Sequence, residues 1–318
     1  MNWAICCSIF ASLVLVCGWP QAGEEGKDEA LRVLRGHERW VLALAISPDS
    51  KRVASGSGDH SLRIWDLQGK NPSRTLKTFE SPVTALAFSK DGKQLAVGTW
   101  DGELVLCDSQ TGKVLKRLKE HRETITTLTF DGSGDYLASG SADDRLIVWD
   151  AASGEDLFTF HQGNEYDVTT CAFSPDGKRI VTGDGENQLK VWDAETGDEL
   201  ETLEGHHEPV TCVAWASDGR IVSGSWDDTV RIWKGGKVTT ALQGHRADVT
   251  GLALNSNVSR VVYDSEDKTL RVWNVASGAL EAILHGHAEP IRCVAISPDD
   301  RLIVSGSNKE IRVWSLVR

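Results

Sequence analysis

The stretch Ser55–Asp66, SGSGDHSLRIWD, decides how the rest of the chain is read. It holds Ser55, Asp59 and His60 within six residues, and His37 stands upstream. Serine, histidine and aspartate are the parts of a hydrolytic triad. They are also the parts of a buried polar network that holds a fold together. The choice turns on whether the set occurs once or many times.

The tryptophan that nearly ends this stretch, Trp65, has counterparts in Trp149, Trp192, Trp233, Trp273 and Trp314. The successive gaps are 84, 43, 41, 40 and 41 residues. The first gap is double, and half of it lands on Cys107 in ELVLCD, a copy that has lost its tryptophan. Seven copies with this period correspond to seven propeller blades, one four-stranded sheet each. Each copy opens on an apolar, β-branched run such as PVTALAFS or DVTTCAFS. A turn follows, clearest in SPDG at Ser174–Gly177, where proline sets φ and glycine tolerates the left-handed position. A second strand ends in ASGS or a variant, and a third ends at the tryptophan. Both faces of these strands are largely apolar, as required of a sheet packed between two others.

These features resemble the WD-repeat (WD40) β-propeller family, and the resemblance covers residues 30 to 318. Six copies keep the tryptophan, three follow it with aspartate, and Gly-His heads four copies at His37, His206, His245 and His287. The resemblance implies a hydrogen-bonded quartet in each blade. His37, Ser55, Asp59 and Trp65 form it in the first copy; His121, Ser139, Asp143 and Trp149 in the third; His206, Ser223, Asp227 and Trp233 in the fifth. An active site is normally built once, and this set is built at least three times. The quartets are therefore read as structural, with His60 a turn residue outside them. Other copies depart from the pattern. The second has Val97 and Cys107 and keeps only Asp101; the fourth has Asn164 for histidine and Glu186 for aspartate; the sixth has Tyr263 for the hydroxyl. The seventh is one residue short in SNKEI and leaves its acid without a clear equivalent.

The expected fold is all-β: a seven-bladed propeller of four-stranded antiparallel blades, its ring closed by an N-terminal strand. Seven first strands need seven fourth strands, but the chain ends just past Trp314. The segment ALRVL, Ala30–Leu34, supplies the missing strand to the last blade, as the family commonly does.

Composition narrows the function. With 34 basic and 46 acidic residues the formal charge is −12, which disfavours a phosphate-backbone partner. No Walker loop and no HExxH motif occurs, and no CxxC or Cys/His spacing suggests a metal. GDGENQ, residues 183–188, resembles a calcium loop but sits where a turn is needed anyway. No cofactor is expected. Cys107, Cys171, Cys212 and Cys293 lie in strand-like runs and read as buried free thiols. Residues 1–22, MNWAICCSIFASLVLVCGWPQA, carry no charge and read as a signal peptide or membrane anchor, with residues 23–29 a linker. The expected location is exported, secreted or periplasmic, or else membrane-anchored by that segment.

The resemblance implies a non-enzymatic scaffold for a protein or peptide partner. Trp40, Trp100 and Trp226 lie outside the repeat position and fall in loops of one rim. Exposed tryptophan is a frequent interface anchor. These three, with Arg39, Asp144 and Asp228 beside them, are the candidate partner-binding residues. The alternatives are an enzyme or small-molecule binder using the central channel, or a structural element of an envelope assembly.

Overall fold

A computed structural model describes residues 30–69, 73–161 and 167–316. The described residues form strands and turns, with no helix among them. They make five antiparallel sheets of four strands and one of seven. The seven-stranded sheet has one strand, Arg32–Ile46, that belongs to two blades. Its first part pairs with Asn308–Ser315, Arg32 opposite Val313 and Arg35 opposite Glu310. Its last part pairs with Arg52–Ser57, Val41 opposite Ser57 and Ile46 opposite Val53. Counted once for each blade, this strand gives seven blades of four.

The sequence pattern predicts the latch and the first inner strand as separate elements. They are continuous, with irregular register between Arg35 and Trp40 and between Val41 and Ala43, where the chain crosses from blade 7 to blade 1. Leu34 on the latch is 6% exposed and packs in one apolar cluster with Val41, Trp65, Ile311 and Val313. The two ends of the chain thus share a core.

Neighbouring blades fit because the second strand carries a glycine facing the next blade. A Cβ added at Gly56 would stand 2.4 Å from Val83, and at Gly98 2.4 Å from Ile125. Gly140, Gly183, Gly224 and Gly306 meet Val168, Val210, Val249 and Val41 in the same way. A second device joins the blades. Thr84, Thr126, Thr169, Thr211 and Thr250 each donate a hydroxyl to a carbonyl of the next blade, at Ile125, Val168, Val210, Val249 and Ile291, over 2.5 to 2.9 Å. The Val-Thr and Ile-Thr pairs that carry these bonds were visible as a repeated signal, but nothing in one copy says that the hydroxyl leaves its own sheet.

Leu34→Ala is expected to cost about 2–5 kcal/mol, through lost burial and the cavity left behind. Deleting residues 30–35 is expected to bare the edge at Asn308–Ser315 and drive unfolding or association. Thermal melting and light scattering check both, and a monomer with unchanged melting would overturn the latch.

Candidate functional site

The three quartets read from the sequence come together as follows. In blade 1, His37 Nδ1 lies 2.9 Å from Asp59 Oδ2, His37 Nε2 lies 2.6 Å from Ser55 Oγ, and the Trp65 indole donates to Ser55 Oγ over 2.7 Å. Blade 3 has 3.1, 2.7 and 2.8 Å for His121–Asp143, His121–Ser139 and Trp149–Ser139. Blade 5 has 2.8 Å for all three contacts of His206, Asp227, Ser223 and Trp233. The protons order themselves. A carboxylate only accepts, so in the neutral imidazole Nδ1–H points at the aspartate, Nε2 accepts the serine proton, and the serine oxygen accepts from the indole.

Serine to histidine to aspartate is the connectivity of a hydrolytic triad, but these hydroxyls cannot attack anything. Ser55, Ser139 and Ser223 are 0% exposed, and each oxygen is covered by an indole N–H. Burial on its own raises the Asp59 carboxyl. Hydrogen bonds from Ser61, the Glu38 N–H and His37 outweigh it and hold Asp59 well below the usual carboxylate range. Asp143, Asp227 and Asp267 are held low in the same way, by His121, His206 and His245 against burial. Burial lowers His37, with Asp59 opposing.

The remaining blades use what they have. In blade 7 the acid place is taken by Glu310, whose Oε1 lies 3.2 Å from His287 Nδ1 without hydrogen-bond geometry and accepts instead from Arg312, while Ser305 accepts from Trp314 and meets His287 Nε2 at 2.7 Å. Counting residues from Ser305 missed this acid because it comes from the third strand. Burial and Arg312 push His287 down to about 4. Blade 4 pairs Trp192 with Thr182 at 2.9 Å, and its Asn164 lies outside the described residues. In its calcium-like loop, Asp184 accepts the N–H groups of Glu186 and Gln188 and so closes its own turn. Blade 2 replaces the network by packing, with Val97 and Cys107 both 0% exposed in one apolar cluster. In blade 6 His245 still meets Asp267 at 2.7 Å, but Tyr263 stacks on Trp273 and leaves His245 Nε2, the Tyr263 hydroxyl and Trp273 Nε1 without partners among the described residues.

A backbone bond aligns the rim. In blades 1, 2, 3, 5 and 6 a carbonyl at the start of the inner strand accepts the N–H of the residue before the turn acid: Trp40 from Gly58, Pro82 from Trp100, Thr124 from Ala142, Pro209 from Trp226, Asp248 from Glu266. Trp100 and Trp226 therefore occupy equivalent turns of blades 2 and 5, and they are 62% and 38% exposed. Trp40 differs. It is half-buried within Arg32–Ile46, and the Arg292 guanidinium covers its ring at 5.3 Å. Arg39 beside it is exposed. Asp144 and Asp228 take the left-handed turn position with φ of 64° and 62°, and His60 takes the same place with φ of 68°. Burial first, then the neighbouring charges of Asp227 and Asp267, raises Asp228. Asp167 is raised by burial and by Asp144 and Glu123; Asp248 by burial and by Glu266 and Asp228. The rim is crowded with negative charge.

A cavity of about 540 Å³ lies among the inner strands of blades 3 to 7. Its wall is threonine, Ser174, glycine, alanine, cysteine and apolar side chains, with Arg292 the one charged residue among those described. The four cysteines of the ring are unpaired. Burial pushes the thiols of Cys171 and Cys212 up to about 12 and that of Cys107 to about 11.

Comparison with known proteins agrees with the ring. Residues 41–201 match the model of the echinoderm microtubule-associated protein second β-propeller, and residues 197–234, 236–274 and 278–315 match the WD domain, G-beta repeat. The chain belongs to the WD-repeat family of β-propellers. That family is in general non-enzymatic and serves protein interaction. Among relatives, apoptotic protease-activating factor 1 of Rattus norvegicus is 32% identical over 36% of this chain and 9% of its own length. An uncharacterized WD repeat-containing protein of Schizosaccharomyces pombe is 33% identical over 37% and 35%. A ribosome biogenesis protein, the WDR12 homolog of Anopheles gambiae, is 30% identical over 34% and 28%. The matched part thus spans about a third or less of each relative.

These relatives correct the expectation of export. Ribosome biogenesis and the activation of an apoptotic protease are processes inside cells, so a secreted, periplasmic or membrane-anchored location does not stand. Among the described residues no helix is long and apolar enough to cross a membrane. The uncharged segment 1–22 and the linker 23–29, on which that expectation rested, lie outside the described residues.

Ser139→Ala strands the Trp149 indole and His121 Nε2 and is expected to cost about 1–3 kcal/mol. Tyr263→Phe removes a hydroxyl that has no partner among the described residues and is expected to leave stability unchanged or raise it by about 1 kcal/mol. Urea unfolding of the two variants beside the native chain checks the contrast.

Proposed function

We propose that this propeller is a non-enzymatic scaffold and that a protein or peptide partner docks on the rim carrying Trp100 and Trp226. The observation that carries the reading is the pair of exposed indoles in equivalent turns of two blades. Large exposed aromatics are costly to leave in water and are the commonest anchors of protein interfaces. Asp144 and Asp228 adjoin this surface, and the mutual repulsion of the rim carboxyls favours a segment bearing lysine or arginine. Trp40 and Arg39 extend the same rim toward blade 1, Trp40 in a supporting place under Arg292. The ring from residue 30 onward acts as one rigid domain that presents these turns. A channel enzyme is the weaker reading, because the cavity wall described above offers no histidine or carboxylate to move a proton.

The double variant Trp100→Ala/Trp226→Ala, compared with the native ring in a pull-down from cell extract, is expected to lose bound protein about tenfold or more while melting at the native temperature. Binding should also weaken as salt is raised from 50 to 500 mM, assay conditions at which ion pairs of about 1 kcal/mol each are screened. Equal capture by both proteins would remove the rim from the account.

A further inference from the structure

Blade 6 breaks the glycine rule of the other six. Where they have glycine against the next blade, it has Asp264, and the carboxylate is 0% exposed. Room for it comes from Gly251 on the inner strand: a Cβ there would stand 3.1 Å from Asp264 Oδ1 and 3.2 Å from Oδ2. The substitution falls beside one of the five threonines that tie blade to blade. Thr250 Oγ lies 2.9 Å from the Ile291 carbonyl of blade 7 and also 2.9 Å from Asp264 Oδ1.

A hydroxyl has one proton to give. In blades 2 and 5 the choice is unequal. Thr84 is 2.7 Å from the next blade's carbonyl and 3.3 Å from Gly98 O, and Thr211 is 2.7 Å from its own target and 3.1 Å from Gly224 O. In blade 6 the two acceptors stand at the same distance. Both contacts are hydrogen bonds at once only when Asp264 is the neutral acid, giving its proton to Thr250 Oγ while Thr250 gives its own to Ile291. Oδ2 has no partner among the described residues, so an ionised carboxylate would be left half-satisfied and out of water. The charges that face it are few. Arg292 of blade 7 is engaged with Glu266 at 2.7 Å, and the thiols of Cys293 and Cys212, on the inner strands to either side, are held neutral by burial. Burial pushes the carboxyl up to about 6, against the opposing bonds of Thr250 and the Gly251 N–H and the charge of Arg292.

We infer that Asp264 is a proton-operated latch on the seam between blades 6 and 7. Neutral, it hands the Thr250 hydroxyl to the Ile291 carbonyl and ties the blades. Ionised, it takes that hydroxyl for itself and releases blade 7. Ile291 immediately precedes Arg292, which holds Glu266 and covers Trp40, so the seam connects directly to the side chains at the channel mouth.

The sign is that of an acid whose folded value lies above its unfolded one. Its stabilising effect is full below about pH 4 and is lost as pH rises through about 6. The quartet carboxyls and the buried neutral His37 and His287 have the opposite sign, so the whole-protein profile mixes the two. Asp264→Asn isolates the latch, since the amide keeps a donor for Thr250 and cannot ionise. The melting temperature of D264N minus that of the native chain is expected to widen by about 4 °C between pH 4.5 and pH 7.5. The carboxyl carbon shift of Asp264, followed by NMR in the native chain, is expected to titrate near pH 6. Titration below about pH 4.5, or a melting difference that stays constant with pH, would overturn the latch, and the NMR reading decides it even where D264N does not fold.

Discussion

Each blade is a sheet with apolar side chains on both faces, and it has water on neither face only when both neighbours are present. This requirement makes the ring a single unit. Val83, Leu95, Val97, Leu104, Val105 and Leu106 of blade 2 are 0% exposed, although the blade's own four strands could cover only each other's edges. The burial comes from the adjoining sheets. Stability therefore depends on closure, and closure depends on the pairing of Arg32–Arg35 with residues 310–313. Joining the first and last blades through a shared sheet makes the long-range contact that fixes the circle also a hydrogen-bonded one.

The quartets show how far chemical identity is from chemical function. Their atoms and proton order match a hydrolytic triad, but the indole donor and full burial leave the serine oxygen no free lone pair facing a substrate. The departures are equally informative. Blade 2 lost both the hydroxyl and the indole, and apolar side chains fill the space, which leaves little unsatisfied. Blade 6 lost the serine and kept the histidine and the tryptophan, which leaves three polar atoms without partners among the described residues. Removing both members of a buried hydrogen bond is far cheaper than removing one, so the blade with fewer family residues has the better-satisfied interior.

Much of this was legible in the chain. The 41-residue tryptophan period, the missing seventh outer strand and the polar sets of blades 1, 3 and 5 could be read because each repeats or must balance. What could not be read depends on contacts between copies. The destination of the Thr84 and Thr126 hydroxyls lies in the following blade. Glu310 serves His287 from a strand the spacing argument did not consult. The cover over Trp40 comes from Arg292, at the other end of the chain. The expectation of an exported location failed for a different reason: an uncharged apolar run is a statement about transfer out of water, not about a cellular route.

In a molecule built by repetition, whatever distinguishes it from other rings of the same kind must lie in the positions that break the repeat. The strand glycines, the inter-blade threonines and the quartets are shared among blades and can specify only the ring. Trp100 and Trp226 stand where blades 1, 3, 4 and 6 place glycine, alanine, glycine and glutamate, and Asp264 stands where the others place glycine. The first two point an indole out of a turn whose backbone the next blade still touches, Thr124 donating to the Trp100 carbonyl, so the side chain can vary while the turn is held. The third alters a seam that neighbours cover completely, so it is tolerated only because Gly251 yields the volume and a proton removes the charge. Irregularities at the rim are thus free to bind, and irregularities in a seam are constrained to respond.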